Sequence, residues 1–149
     1  MQKRIFLFMF LLFNLLLYSN LHAISTPDSL KLLASKKSKP ERIKIYYEIS
    51  KSYIGTDNDS AIKFSNIGIL LSNETNNQIY LPDFYQIIGY SSFLKRNYNQ
   101  SINYYNSALG MFENRKNKNK VADLNAYLGI IYQETYNYNK SIQYFYKSL

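Results

Sequence analysis

The chain has no cysteine, no tryptophan, one histidine, three prolines and five glycines, against sixteen tyrosines and nine phenylalanines. Without cysteine there is no disulfide and no thiolate metal site, and composition is silent on the redox state of the compartment. One histidine, His22, and ten acidic residues that do not cluster leave no set of bases, nucleophiles or metal ligands from which to assemble an active site. A glycine-rich phosphate loop is also absent. The stretch "DNDS" at residues 57–60 opens like a calcium loop, but Ala61 stands where the third oxygen ligand belongs and no closing Gly or Glu follows. It reads as a helix cap. No catalysis, cofactor or metal is expected.

What is present is apolar and aromatic: 46% hydrophobic and 17% aromatic over 149 residues, enough for one packed domain. The start is different in kind. Lys3 and Arg4 precede "IFLFMFLLFNLLLY", an apolar run at residues 5–18 broken only by Asn14. That order, with the small residue Ala23 further on, is the layout of a secretory signal. The run is shorter than the ~20 apolar residues of a spanning helix. A signal peptide is therefore expected at residues 1–23, a mature domain at 24–149, and export to the periplasm or cell envelope. An uncleaved anchor is the competing reading, and a membrane partner is expected only with it. Export makes nucleic acid an unexpected partner. Loss of Lys3 and Arg4 would take the formal charge from +8 to +6, carried mostly by "KKSK" at 36–39 and "RKNKNK" at 115–120. Both runs are expected to be solvated loops.

Set against itself, the chain aligns at "SAIKFSNIGI" from Ser60, "QSINYYNSAL" from Gln100 and "KSIQYFYKSL" from Lys140. Ala61, Ser101 and Ser141 stand 40 residues apart, as do Ile62, Ile102 and Ile142. A fixed period of this size marks stacked units, each too small to bury its apolar face alone. Each unit reads as two helices: Leu124, Leu128, Ile131 and Tyr132 recur at three- and four-residue steps, then Ile142, Phe145 and Leu149. Ser38 with Glu41 forms a capping box, Asn97 with Gln100 a weaker one, and Pro40 and Pro82 suit first turns.

"NAYLGIIY" followed by "SIQYF" resembles the tetratricopeptide repeat, through Leu128, Gly129, Tyr132, Ser141 and Phe145, with Asn125 in the place of the usual aromatic. Tyr85, Ile88, Gly89, Ser101, Tyr105 and Ala108 fit the second unit, and Tyr46, Ile49, Tyr53, Ala61 and Gly68 fit the first less closely. The resemblance implies an all-α, right-handed solenoid of antiparallel helix pairs of the extended kind found in bacterial exported sensors. It divides the domain into a short first helix at 26–36, packing Leu30 and Leu33 on the stack, and units at about 40–77, 80–117 and 118–149, the last incomplete. The small residues Gly89, Gly129, Ser101 and Ser141 are expected to let paired backbones approach.

The resemblance also implies a protein-interaction module that holds a peptide or partner domain in a concave groove lined by the first helices, with a role as the sensory part of a larger signalling protein as one expectation. The row opposite the packed face is Tyr47, Lys51 and Ile54, then Gln86, Tyr90 and Phe93, then Ala126, Ile130 and Gln133. Phe93 and Ile130 compete for a role in the core between units. The alternative function is a membrane-anchored structural scaffold acting through assembly. Ile142 and Phe145 are expected to face an absent neighbour, which makes the C-terminal helix edge a candidate for self-association.

Overall fold

The computed structural model describes residues 26–149, and the signal-peptide expectation for residues 1–23, with the start at Ile24, lies outside them. Seven helices and no strand occur among the described residues: α1 (Pro27–Ser35), α2 (Lys39–Ser52), α3 (Asn58–Glu74), α4 (Leu81–Leu94), α5 (Tyr98–Asn114), α6 (Lys118–Glu134) and α7 (Tyr138–Lys147). The fold is all-α. Each helix packs on the next, and α2 also touches α4. None of the helices among the described residues is long and apolar enough to cross a membrane.

Local chemistry sets the helix starts. Glu41 accepts from the Ser38 N–H at 3.1 Å and from its hydroxyl at 2.6 Å, while Pro40 sits in the first turn of α2, where a missing N–H leaves nothing unpaired. Asp57 caps α3 by accepting from the Ser60 N–H at 3.0 Å.

The helix ends share one device. After α3, α4, α5 and α6 comes a left-handed residue, Asn76, Arg96, Lys116 and Tyr136, with φ between 51° and 59°. The residue after it is always asparagine, and its N–H reaches five residues back, from Asn77, Asn97, Asn117 and Asn137 to the carbonyls of Ser72, Ser92, Phe112 and Tyr132 at 2.8–3.0 Å. This is a Schellman closure. Asn97, Asn117 and Asn137 then use their side-chain oxygens to accept from the N–H groups of Gln100, Lys120 and Lys140, so one asparagine ends one helix and caps the next. A 17-residue helix plus this three-residue joint gives 20 residues per helix at α5 and α6, which accounts for the 40-residue spacing seen in the sequence. The α2–α3 turn is built otherwise, with Gly55 at φ +80°. The longer α3–α4 connection is tied down by Arg115, whose guanidinium donates to the Ile79 carbonyl at 2.8 Å and to that of Gln78.

The core lies along the helix seams. Ile43, Leu71 and Phe84 form one buried cluster, and Tyr105, Ala108, Phe112, Leu124, Leu128 and Ile131 form another. Across three seams an aromatic ring seats against a glycine sixteen residues earlier: Phe84 on Gly68, Tyr105 on Gly89, Phe145 on Gly129. The glycines make room for rings of the partner helix. At Gly89 the partner helix also comes close through the fully buried Ser101, whose hydroxyl donates to the Gly89 carbonyl at 2.7 Å.

Elsewhere the packing departs from the sequence expectation. Leu33 is 40% exposed, and the residue of α1 that is buried is Ala34. Lys31 of α1 hydrogen-bonds Asp28 and the Tyr53 hydroxyl, both at 3.0 Å, and lies over the stacked rings of Tyr53 and Phe64. The basic runs are not simply loops, since Lys39 opens α2 and Lys118 and Lys120 form the first turn of α6. Phe145 turns inward onto Gly129, leaving Ile142, 54% exposed, on the outer side of α7.

Candidate functional site: a tyrosine-lined groove

A groove of about 230 Å³ runs across α2, α4 and α6, lined by Tyr47, Lys51 and Ile54 from the first, Asp83, Gln86, Ile87 and Tyr90 from the second, and Lys120 and Tyr127 from the third. The helix period explains the set. Tyr47, Lys51 and Ile54, like Asp83, Gln86 and Tyr90, follow steps of three and four and so share a helix face.

Five of the nine residues of the sequence-derived row line the groove: Tyr47, Lys51, Ile54, Gln86 and Tyr90. Phe93 does not. Its ring lies 6.1 Å from that of Tyr98 and packs against the larger core cluster. Ala126, Ile130 and Gln133 also stand outside the groove, with Gln133 exposed and Ile130 37% exposed. The row read from periodicity lacks Asp83, Ile87, Lys120 and Tyr127. A signal for two of them existed, because Ile87 and Tyr127 are the 40- and 80-residue translations of Tyr47.

Most of the groove's charges are matched from within. Lys51 bonds Glu48 at 3.2 Å and lies over the Tyr47 ring at 4.7 Å. Burial pulls the Lys51 ammonium down, but Glu48 and the Tyr47 phenol more than reverse this and leave it above the ordinary lysine value. Lys120 donates to the Gln86 side-chain oxygen at 2.8 Å and lies 3.6 Å from the partly buried Asp83. The phenols of Tyr47 and Tyr127 are raised by burial first, and that of Tyr127 next by Tyr90. Tyr90 and Tyr127 meet with centroids 5.6 Å apart at 56°, and Tyr127 stacks on Tyr105 at 5.5 Å and 16°. Tyr105 is fully buried, its hydroxyl has no hydrogen-bond partner among the described residues, and burial pushes its pKa far up. The phenols of Tyr47, Tyr105 and Tyr127 are therefore neutral near pH 7.

The described residues contain no group of three or more His, Cys, Asp or Glu placed to hold a metal ion. The arrangement offers ring faces, hydroxyls and an amide, which are recognition chemistry. No protein-family model matches the chain, and no curated protein matches it.

Proposed function

We propose that this chain is an exported protein-interaction module, a right-handed tetratricopeptide-like stack of helix pairs that holds an extended peptide or a loop of a partner domain in the groove. One observation carries the reading: Tyr47 and Lys51, Gln86 and Tyr90, and Tyr127 and Lys120 come from three separate helices to line one surface. Rings supply contact area at low entropic cost, and the amide and ammonium groups fix orientation. At about 230 Å³ the groove lies below the ~300–1,000 Å³ of pockets that bury a drug-sized ligand, so it suits one or two side chains of a longer partner lying across it.

The test is site-specific photocrosslinking in the producing cell, with the reactive group at Tyr90 or at Leu70, which is 58% exposed on α3. A discrete crosslinked partner from Tyr90, absent from Leu70, is expected. Equal crosslinking from both, or crosslinking from Leu70 alone, overturns the groove. Intact mass of the uncrosslinked chain from the exported fraction reads the export proposal, for which a start at or near Ile24 is expected.

A further inference from the structure

We infer that the groove takes an uncharged, proline-bearing segment in the polyproline II conformation, in preference to an acidic tail or an amphipathic helix. This rests on the groove reading above and names the class of partner. Three observations point the same way.

First, the charges are already satisfied inside the protein, Lys51 by Glu48 at 3.2 Å and Lys120 by Asp83 at 3.6 Å with Gln86 at 2.8 Å. Each ammonium already faces a carboxylate, so the groove offers an acidic ligand no unpaired cation, and a neutral ligand leaves both pairs intact. Electrostatic complementarity therefore selects a partner without charge.

Second, the hydroxyls of Tyr90 and Tyr127 are hydrogen-bonded to no other group among the described residues, and the two rings, 5.6 Å apart at 56°, both line the groove. A phenol hydroxyl facing the groove can donate to a carbonyl of the partner. A helix keeps its backbone carbonyls for itself, but a polyproline II segment has no internal hydrogen bonds and presents its carbonyls outward every ~3.1 Å.

Third, the wall is rigid where a stiff ligand needs it to be. Tyr127 is backed by the stacked, fully buried ring of Tyr105, and Tyr105 is seated on Gly89. Preformed aromatic surfaces paired with a preformed chain limit the entropy lost on association, the logic of proline-rich recognition.

The experiment titrates the full 149-residue chain, labelled with nitrogen-15, with four capped peptides of equal length: an oligoproline, a Gly–Ser chain, a Glu–Ser chain and an alanine–leucine amphipathic helix. Oligoproline should bind most tightly and shift amides of α2, α4 and α6. Tyr90→Phe and Tyr127→Phe, which remove one hydroxyl each and keep the rings, should each weaken it by about fivefold. Tighter binding of the acidic or helical peptide with shifts in the same three helices overturns the polyproline inference and leaves the groove reading standing. Oligoproline binding that is indifferent to both Phe variants overturns the polyproline inference in the same way. Shifts confined to loops with every peptide, or none with any, overturn the groove reading and the inference together.

Discussion

At Gly89 an added Cβ would stand 2.7 Å from Tyr105 Cδ1, and at Gly129 it would stand 2.9 Å from Phe145 Cδ1. The clashes look alike but their surroundings differ. Tyr105 is fully buried between helices and stacked on Tyr127, whereas Phe145 is half-buried on α7 and borders a surface pocket beside Ile142 and Tyr146. Overpacking costs most where the neighbour cannot yield. Gly89→Ala should lower stability by about 1–3 kcal/mol, and Gly129→Ala by clearly less, measured by urea unfolding followed by circular dichroism. Equal losses would show that the Tyr105 ring gives way as readily as the half-buried one. This difference was hidden in the sequence, which marks both glycines as small positions in the same motif. The identity of what fills each space depends on partners sixteen residues away, and only the joint geometry brings those into register.

The helices themselves were legible because their boundaries are chemically local. Ser38 with Glu41, and Asp57 before Ser60, act within a single turn, so the residues that decide are adjacent in the chain. Glu41 gives a pH prediction. The Ser38 hydroxyl, then Lys37, holds its carboxyl at about 2 against an ordinary 4.5. The folded value is the depressed one, so the cap is fully supportive above pH 4.5 and is lost as pH falls through about 2. The protection factor of amides in the first turn of α2, their exchange relative to the intrinsic rate at each pH, should fall across that window, while that at the start of α5, capped by the neutral Asn97, should not. The helix ends are a different case. Lys116 holds φ 55° with a full side chain, at a cost of about 1–2 kcal/mol over glycine, while glycine gives back about 0.4–1 kcal/mol in unfolded-state entropy. Lys116→Gly should therefore stabilise by about 0.5–1 kcal/mol, read from the urea midpoint at unchanged slope. A destabilised variant would mean that the Lys116 side chain contributes something its position does not suggest.

At the scale of the molecule, the all-helical architecture and sequential packing followed from periodicity and spacing, and the same period picked out the α2 lining and, on α4, Gln86 and Tyr90 but not Asp83 or Ile87. The α6 wall did not. Choosing the face opposite Leu124, Leu128 and Ile131 selects Ala126, Ile130 and Gln133, yet α6 reaches the groove through Tyr127 and, from its first turn, Lys120. A helix packed on α5 and α7 has two covered faces, so its open face is not simply opposite one of them. The long stem of a lysine also reaches further than face geometry allows. The asparagine joints have a last consequence. The backbone bonds of each joint close on atoms at most five residues apart, so the same joint can in principle be written again wherever the packing faces repeat. Copying residues 97–136 in tandem should add two helices through the same joint, lengthen the chain without rewriting either end, and raise both the unfolding midpoint and the denaturant slope. Growth by duplication would then be a small genetic step: one in-frame copying event should yield a longer molecule that folds with the same joints.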